Sequence, residues 1–251
     1  MKLKYIIVTA IIVLGVLITS CEYDNYDAPS YVFSGQLKCD GENFPFDASK
    51  SLLRVYQKGY GKVDGSGIGI RIDENGRYQQ LFFNTEYKRT LINRSLPFEL
   101  PDFEPLGTGM GFDSLTYNFT SNVTKDFEVR PYYKLKNMKA ELKNGNIEAT
   151  FNIEKMTNTV KTVPPIVKTR IWLSTSSLVN SNIRCTRVND VEYVDDTTLK
   201  ISIPLSEYRR KEIFPNNFRT YAFYRVAIEL EGMNEYFLFS DIQKIENLPV
   251  D

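Results

Sequence analysis

From Tyr31 onward, no stretch of this chain keeps a helical period long enough for an ordinary helix. Short segments rich in Val, Ile, Phe and Tyr alternate apolar with polar residues, and Gly, Asn, Asp and Pro cut them apart. That pattern restricts the chain to an all-β fold. The first half reads as strands over YVFSGQLKC (31–39), SLLRVYQKG (51–59), IGIRIDENGRYQQLFF (68–83), EYKRTLI (86–92), SLTYNFT (114–120) and KDFEVRPYY (125–133). Turns are expected at Asp40-Gly41 and at Glu74-Asn75-Gly76.

Around Pro131 the pattern resets. YYKLKNMKAELKNGNIEATFNIEK predicts two strands joined at Lys143-Asn144-Gly145-Asn146, a strong hairpin signal. Pro164-Pro165 precedes a strand carrying Trp172, the only tryptophan, which is expected in the core between two sheets. TLKISIPL, TYAFYRVAIEL and EYFLFSDIQKIE supply further strands, and only SEYRRKEIF has room for a short helix. About seven strands over some hundred residues is what an immunoglobulin-like sandwich needs. In the YRVAI strand, Tyr224, Val226 and Ile228 share one face, extended by Ala222.

The N-terminus has a different character. MKLK precedes the apolar run IIVTAIIVLGVLI, a charged segment followed by a hydrophobic one of secretory length, short for a membrane span. Ile18-Thr19-Ser20-Cys21 then resembles a bacterial lipobox, with Ile18 where Leu is more usual. The expectation is a signal peptide over 1–20, removed to leave a lipidated Cys21, and an acidic tether over 21–30. Several acyl tails on one residue suffice for stable anchoring. Glu22, Asp24 and Asp27 resemble the export signal of Bacteroidetes surface lipoproteins, and they equally suit a solvated tether ending at Pro29.

Composition removes several chemistries. Lys plus Arg and Asp plus Glu are both 31, so no basic excess draws nucleic acid. Histidine is absent, which excludes Ser-His-Asp and Cys-His nucleophile systems and His-containing zinc sites. The three cysteines show no CxxC spacing, and Cys39 and Cys185 read as unpaired thiols in different domains. No metal and no cofactor is expected.

The one long irregular stretch before Pro131 is LPFELPDFEPLGTGMGFDS, 96–114, and long loops of this kind are usually functional or mobile. It is the first candidate binding surface. GTGMG within it lacks the Lys-Ser/Thr ending and the strand-to-helix setting of a phosphate loop. Asp102, Glu104 and Asp113 cluster there, but carboxylates on a Pro/Gly-rich loop are poorly held for glycosidase work, so no enzyme is expected. The candidate ligand-binding residues are Tyr60, flanked by glycines, together with Phe112 and Asp113 in the long stretch.

Two resemblances follow from these segments. Residues 31–131, through YVFSGQL, IDENGRYQQLFFNTEYKRTLI and KDFEVRPYY, resemble a transthyretin-like or carboxypeptidase-regulatory-like β-sandwich. Residues 132–251, through the Trp172 strand, YRVAI and FLFSDIQKIE, resemble a fibronectin type III or immunoglobulin-like module. With Cys21 and Asn25-Tyr26-Asp27-Ala28-Pro29, the whole is similar to an uncharacterised Bacteroidetes surface lipoprotein family. That resemblance implies an outer-membrane address and a noncatalytic accessory role in glycan capture beside SusC/SusD-like uptake pairs. The other reading left open is a structural spacer or adhesin that binds a protein.

Overall fold

The computed structural model describes residues 27–58, 67–91, 95–103, 112–182, 186–188, 191–209, 219–233 and 236–250. Cys21, Tyr60, Cys185 and the signal segment lie outside the described residues. The fold is nearly all β, in two tandem domains.

In chain order the first domain contributes β1 (Tyr31–Cys39), β2 (Glu42–Asn43), β3 (Ser51–Gln57), β4 (Ile68–Arg71), β5 (Arg77–Phe82) and β6 (Glu86–Leu91). β7 (Phe98–Glu99), β8 (Phe112–Asn118), β9 (Val123–Thr124), β10 (Phe127–Glu128) and β11 (Arg130–Pro131) complete it. One sheet is centred on β1, with β5 and β2 antiparallel on one side and β9 and β10 parallel on the other. The facing sheet runs β4-β3-β6-β8. The two close over an aromatic core: Phe82 stacks on Phe119 at 4.9 Å and meets Tyr87 edge-on at 4.9 Å. Each such pair adds about 0.5–1.5 kcal/mol beyond the area it buries.

The second domain contributes β12 (Tyr133–Lys143), β13 (Asn146–Lys155), β14 (Ile166–Ser174), β15 (Thr186–Val188) and β16 (Val191–Tyr193). β17 (Thr198–Pro204), a single helical turn α1 (Leu205–Tyr208), β18 (Ala222–Leu230), β19 (Phe237–Phe239) and β20 (Gln243–Ile245) follow. Its sheets run β12-β13-β17-β16 and β15-β14-β18-β19, with β20 also on β18. Lettered along the chain, that is A-B-E-D against C′-C-F-G, the immunoglobulin-like arrangement. Among the described residues nine strands stand where about seven are predicted, and β15, β16, β19 and β20 are three residues each, too short to show a period.

Both hairpin signals hold for a backbone reason. Asn144 and Gly145 have φ of +49° and +76°, the left-handed pair that a two-residue turn between right-twisted strands requires. Asp40 and Gly41 repeat this at +53° and +83° between β1 and β2.

Of the long irregular stretch, residues 96–103 and 112–114 are described. Leu96, Phe98 and Leu100 are buried, Phe98 packs 5.2 Å from Phe44, and β7 pairs with β11. Phe112 opens β8 rather than ending a loop. Prolines at 97 and 101 punctuate a segment whose alternate apolar residues are nonetheless taken into the core.

Trp172 also departs from expectation. It is 1 % exposed, but not between the sheets. Ile171 and Leu173 face the sandwich core, so the pleat turns Trp172 outward, where it clusters with Val179, Ala227 and Phe239. Arg225, 0 % exposed, lies on the same outer face, with its guanidinium 3.7 Å from the Phe239 ring centroid.

The first domain meets this face. Arg225 Nη1 donates to the Phe46 carbonyl at 2.8 Å, and Asn180 Nδ2 donates to Glu74 Oε1 at 2.9 Å. Ser181 N–H reaches Asp47 Oδ1 at 3.4 Å, and the Ser49 and Ser181 hydroxyls hydrogen-bond each other. On another side of the boundary, the buried Glu99 carboxylate accepts N–H bonds from Val160 at 2.9 Å and Lys161 at 2.6 Å. Burial pulls the Arg225 guanidinium down to about 10, against the opposing pull of Asp47 and Glu74.

Candidate functional site

The outer face of the first domain's β1 sheet is not covered in this way. It carries an open cleft of about 740 Å³. Alternation builds its wall: along β5, Tyr78 and Phe82 point into the core, and Arg77, Gln79 and Leu81 point out.

Register then sets polar residues in rows across the sheet. Gln79 lies opposite Ser34, which lies beside Thr124, and the two hydroxyls are 3.3 Å apart. Arg77 lies opposite Gln36, whose backbone N–H donates to Asp126 Oδ1 at 3.1 Å. The isolated Ile72–Tyr78 bridge extends both rows, bringing Arg71 level with Gln79 and Asp73 level with Arg77. One step further along, the surface turns apolar: Val32 lies opposite Leu81, 53 % exposed, and Phe83 follows at 39 %.

The floor depends on one glycine. A Cβ at Gly35 would collide with the Lys125 carbonyl and the Tyr78 hydroxyl, and that hydroxyl donates to the same carbonyl. Any side chain there would force the Lys125 carbonyl, just past β9, away from β1.

The carboxylates in the cleft are already engaged. Asp73 Oδ1 accepts the N–H groups of Asn75 at 2.9 Å and Arg77 at 2.8 Å, which builds the turn. Glu74 holds Asn180, and Asp126 pairs with Lys38 at 2.7 Å. Hydrolysis by paired acids needs one carboxyl free to protonate and another free to attack or to activate water. Each of these three holds a structural partner in the fold.

Phe112 and Asp113 open β8, at the edge of the opposite sheet, where Phe112 pairs with Thr90. Tyr60 falls outside the described residues. Of the loop carboxylates, Asp102 is paired with Lys125 at 2.8 Å. The alternation of RYQQLF does carry the signal for Arg77 and Gln79, and the DENG turn places Asp73. What the sequence does not carry is which outer face stays uncovered.

Fold and cleft together define a tandem β-sandwich protein, a transthyretin-like domain followed by an immunoglobulin-like one, with an open polar cleft on the first. The chain belongs to the DUF3823 family. Residues 31–130 match "Protein of unknown function (DUF3823) N-terminal domain" and residues 133–244 match "Domain of unknown function (DUF3823_C)". No protein among the curated ones matches it.

Solved structures share the fold. A DUF3823 family protein from Parabacteroides merdae ATCC 43184 is similar over 88% of this chain and 100% of its own, at 18% identity and TM-score 0.64. One from Bacteroides ovatus ATCC 8483 is similar over 86% and 99%, at 20% identity and TM-score 0.61. A third, from Bacteroides uniformis ATCC 8492, is described as a "putative carbohydrate binding protein". It is similar over 87% of this chain and 100% of its own, at 17% identity and TM-score 0.59.

Proposed function

We propose that this protein is a noncatalytic glycan-binding lipoprotein, held at the outer membrane through Cys21 and serving as an accessory to a SusC/SusD-like uptake system. The observation that carries the binding part is the row arrangement on the β1 sheet. Gln36, Gln79, Ser34 and Thr124 offer both donors and acceptors, as sugar hydroxyls require, beside the apolar Leu81–Phe83 end where a CH-rich ring face can rest. The Bacteroides uniformis neighbour described as a "putative carbohydrate binding protein" agrees with this reading. The anchor and the uptake partners rest on Cys21, the segment before it and the family resemblance.

Strand addition by a partner protein, as an adhesin would use, fits less well at the long edge strand β12. It presents Lys134, Lys136, Lys139 and Lys143, and its register shifts at Lys136/Lys139 with Asn137 at φ +53°. Charges and bulges of this kind blunt an edge against pairing.

The test is glycan binding by the purified full chain, compared with a Gln36→Ala/Gln79→Ala double variant. Binding that weakens about tenfold or more, with an unchanged unfolding midpoint, supports the cleft. Equal binding by both proteins would move the site elsewhere, and absence of binding to any glycan would remove the reading.

A further inference from the structure

We infer that the β1 cleft selects glycans bearing anionic groups, sugars with a carboxylate or a sulfate, through Arg71 and Arg77. This rests on the glycan-binding reading above and narrows it to a ligand class.

Charge commitment in the cleft is the argument. Asp73 is spent on its turn, Glu74 on Asn180 and Asp126 on Lys38. Lys38 is thereby paired. Arg71 and Arg77 remain: both are exposed, both line the cleft, and neither guanidinium has a partner among the described residues. A guanidinium presents five donors in a planar fork that matches carboxylate and sulfate oxygens two at a time.

Placement adds a second argument. The Ile72–Tyr78 bridge puts Arg71 one strand across and two residues along from Arg77, roughly 8 Å between backbones. That is too far for both to grip one anionic group with short bonds. It suits two anionic groups on neighbouring sugars, with Gln79 next to both arginines and Gln36 on the far side of Arg77 to read hydroxyls. The carboxylates bordering the cleft raise the cost of an anion held anywhere but at the two arginines, so the ligand's charge must be spaced to match them.

The experiment measures binding of the full chain to three probes: an oligogalacturonate, a chondroitin sulfate oligosaccharide and a neutral malto-oligosaccharide of similar length. The expected result is tighter binding of one or both anionic probes, weakening as salt rises, with the first two arms separating carboxylate from sulfate. Arg71→Gln/Arg77→Gln should lose tenfold or more for the anionic probe. Arg77→Lys, which keeps the charge and loses the fork, should lose several-fold. Equal or better binding of the neutral probe, unchanged in the double variant, would overturn the inference while leaving the glycan reading standing. Binding of none of the three, or of any other glycan, would overturn both. Trp172 emission reports whether each variant is folded, since that ring is buried.

Discussion

Two outer sheet faces in this molecule start from the same local pattern and end differently. On β5 the sequence RYQQLF sends Arg77, Gln79 and Leu81 outward, and the face stays in water. On β14 and β18 the same alternation sends Trp172, Arg225 and Ala227 outward, and the face is sealed against the first domain. The difference lies in what accompanies the charge. Arg225 rests on Phe239 and Trp172 and reaches a backbone carbonyl with Asp47 and Glu74 close by, so its desolvation is offset in part. Arg71 and Arg77 have no such setting and keep their hydration. A face with large rings and a cation bonded across the boundary packs against the other domain, and one with unspent donors stays open to water.

Removing the cation from the closed face should have the largest effect. Arg225→Ala deletes the bond to Phe46 and the ring contact, and leaves Asp47 and Glu74 buried without their counter-charge. A loss of about 3–4 kcal/mol is expected in urea unfolding. The single tryptophan supplies a second reading, because Trp172 emission should shift to the red and acrylamide quenching should rise as water enters. A loss below about 1 kcal/mol with unchanged emission would mean that apolar contact alone seals the face.

Glu99→Ala sharpens the comparison at a boundary contact away from Trp172. It removes the acceptor for two backbone N–H groups, at about 2 kcal/mol. Native-state emission should not move, since the ring lies on the other contact. If emission shifts as it does in Arg225→Ala, the domain boundary opens as a single unit.

The sequence announces the strands of both domains and both hairpin turns, because alternation and Asn-Gly or Asp-Gly pairs are local signals. It even announces which side chains leave each core. It does not announce their fate. Trp172 follows the period of its strand out of the sandwich, yet is buried among Val179, Phe237, Phe239 and Arg225. Burial at a domain boundary is set by contacts between residues more than a hundred positions apart, such as Asn180 with Glu74. The backbone at Phe112 and Asp113 differs for the reverse reason: glycines and prolines around them read as a loop, and these two residues open an edge strand.

The smallest effect is expected from the exposed ion pair between the domains, where Asp40 at the β1–β2 turn meets Lys134 on β12. The hydrogen bond from Lys134 holds the Asp40 carboxyl below its ordinary value of 3.8. A folded-state value below the unfolded one means that the unfolded chain binds the proton more tightly. The pair's contribution is therefore fully present above the ordinary range, and it is lost as pH falls through the lower folded value. Urea midpoints of the wild-type protein and Asp40→Asn should differ slightly at pH 7 and pH 5, and converge in strong acid. They should also converge in 1 M salt, where screening acts within about 3 Å. An Asp40→Asn loss as large as that of Arg225→Ala would break the comparison itself, because the boundary would then be held by a pair that water surrounds rather than by the charge the fold has sealed in.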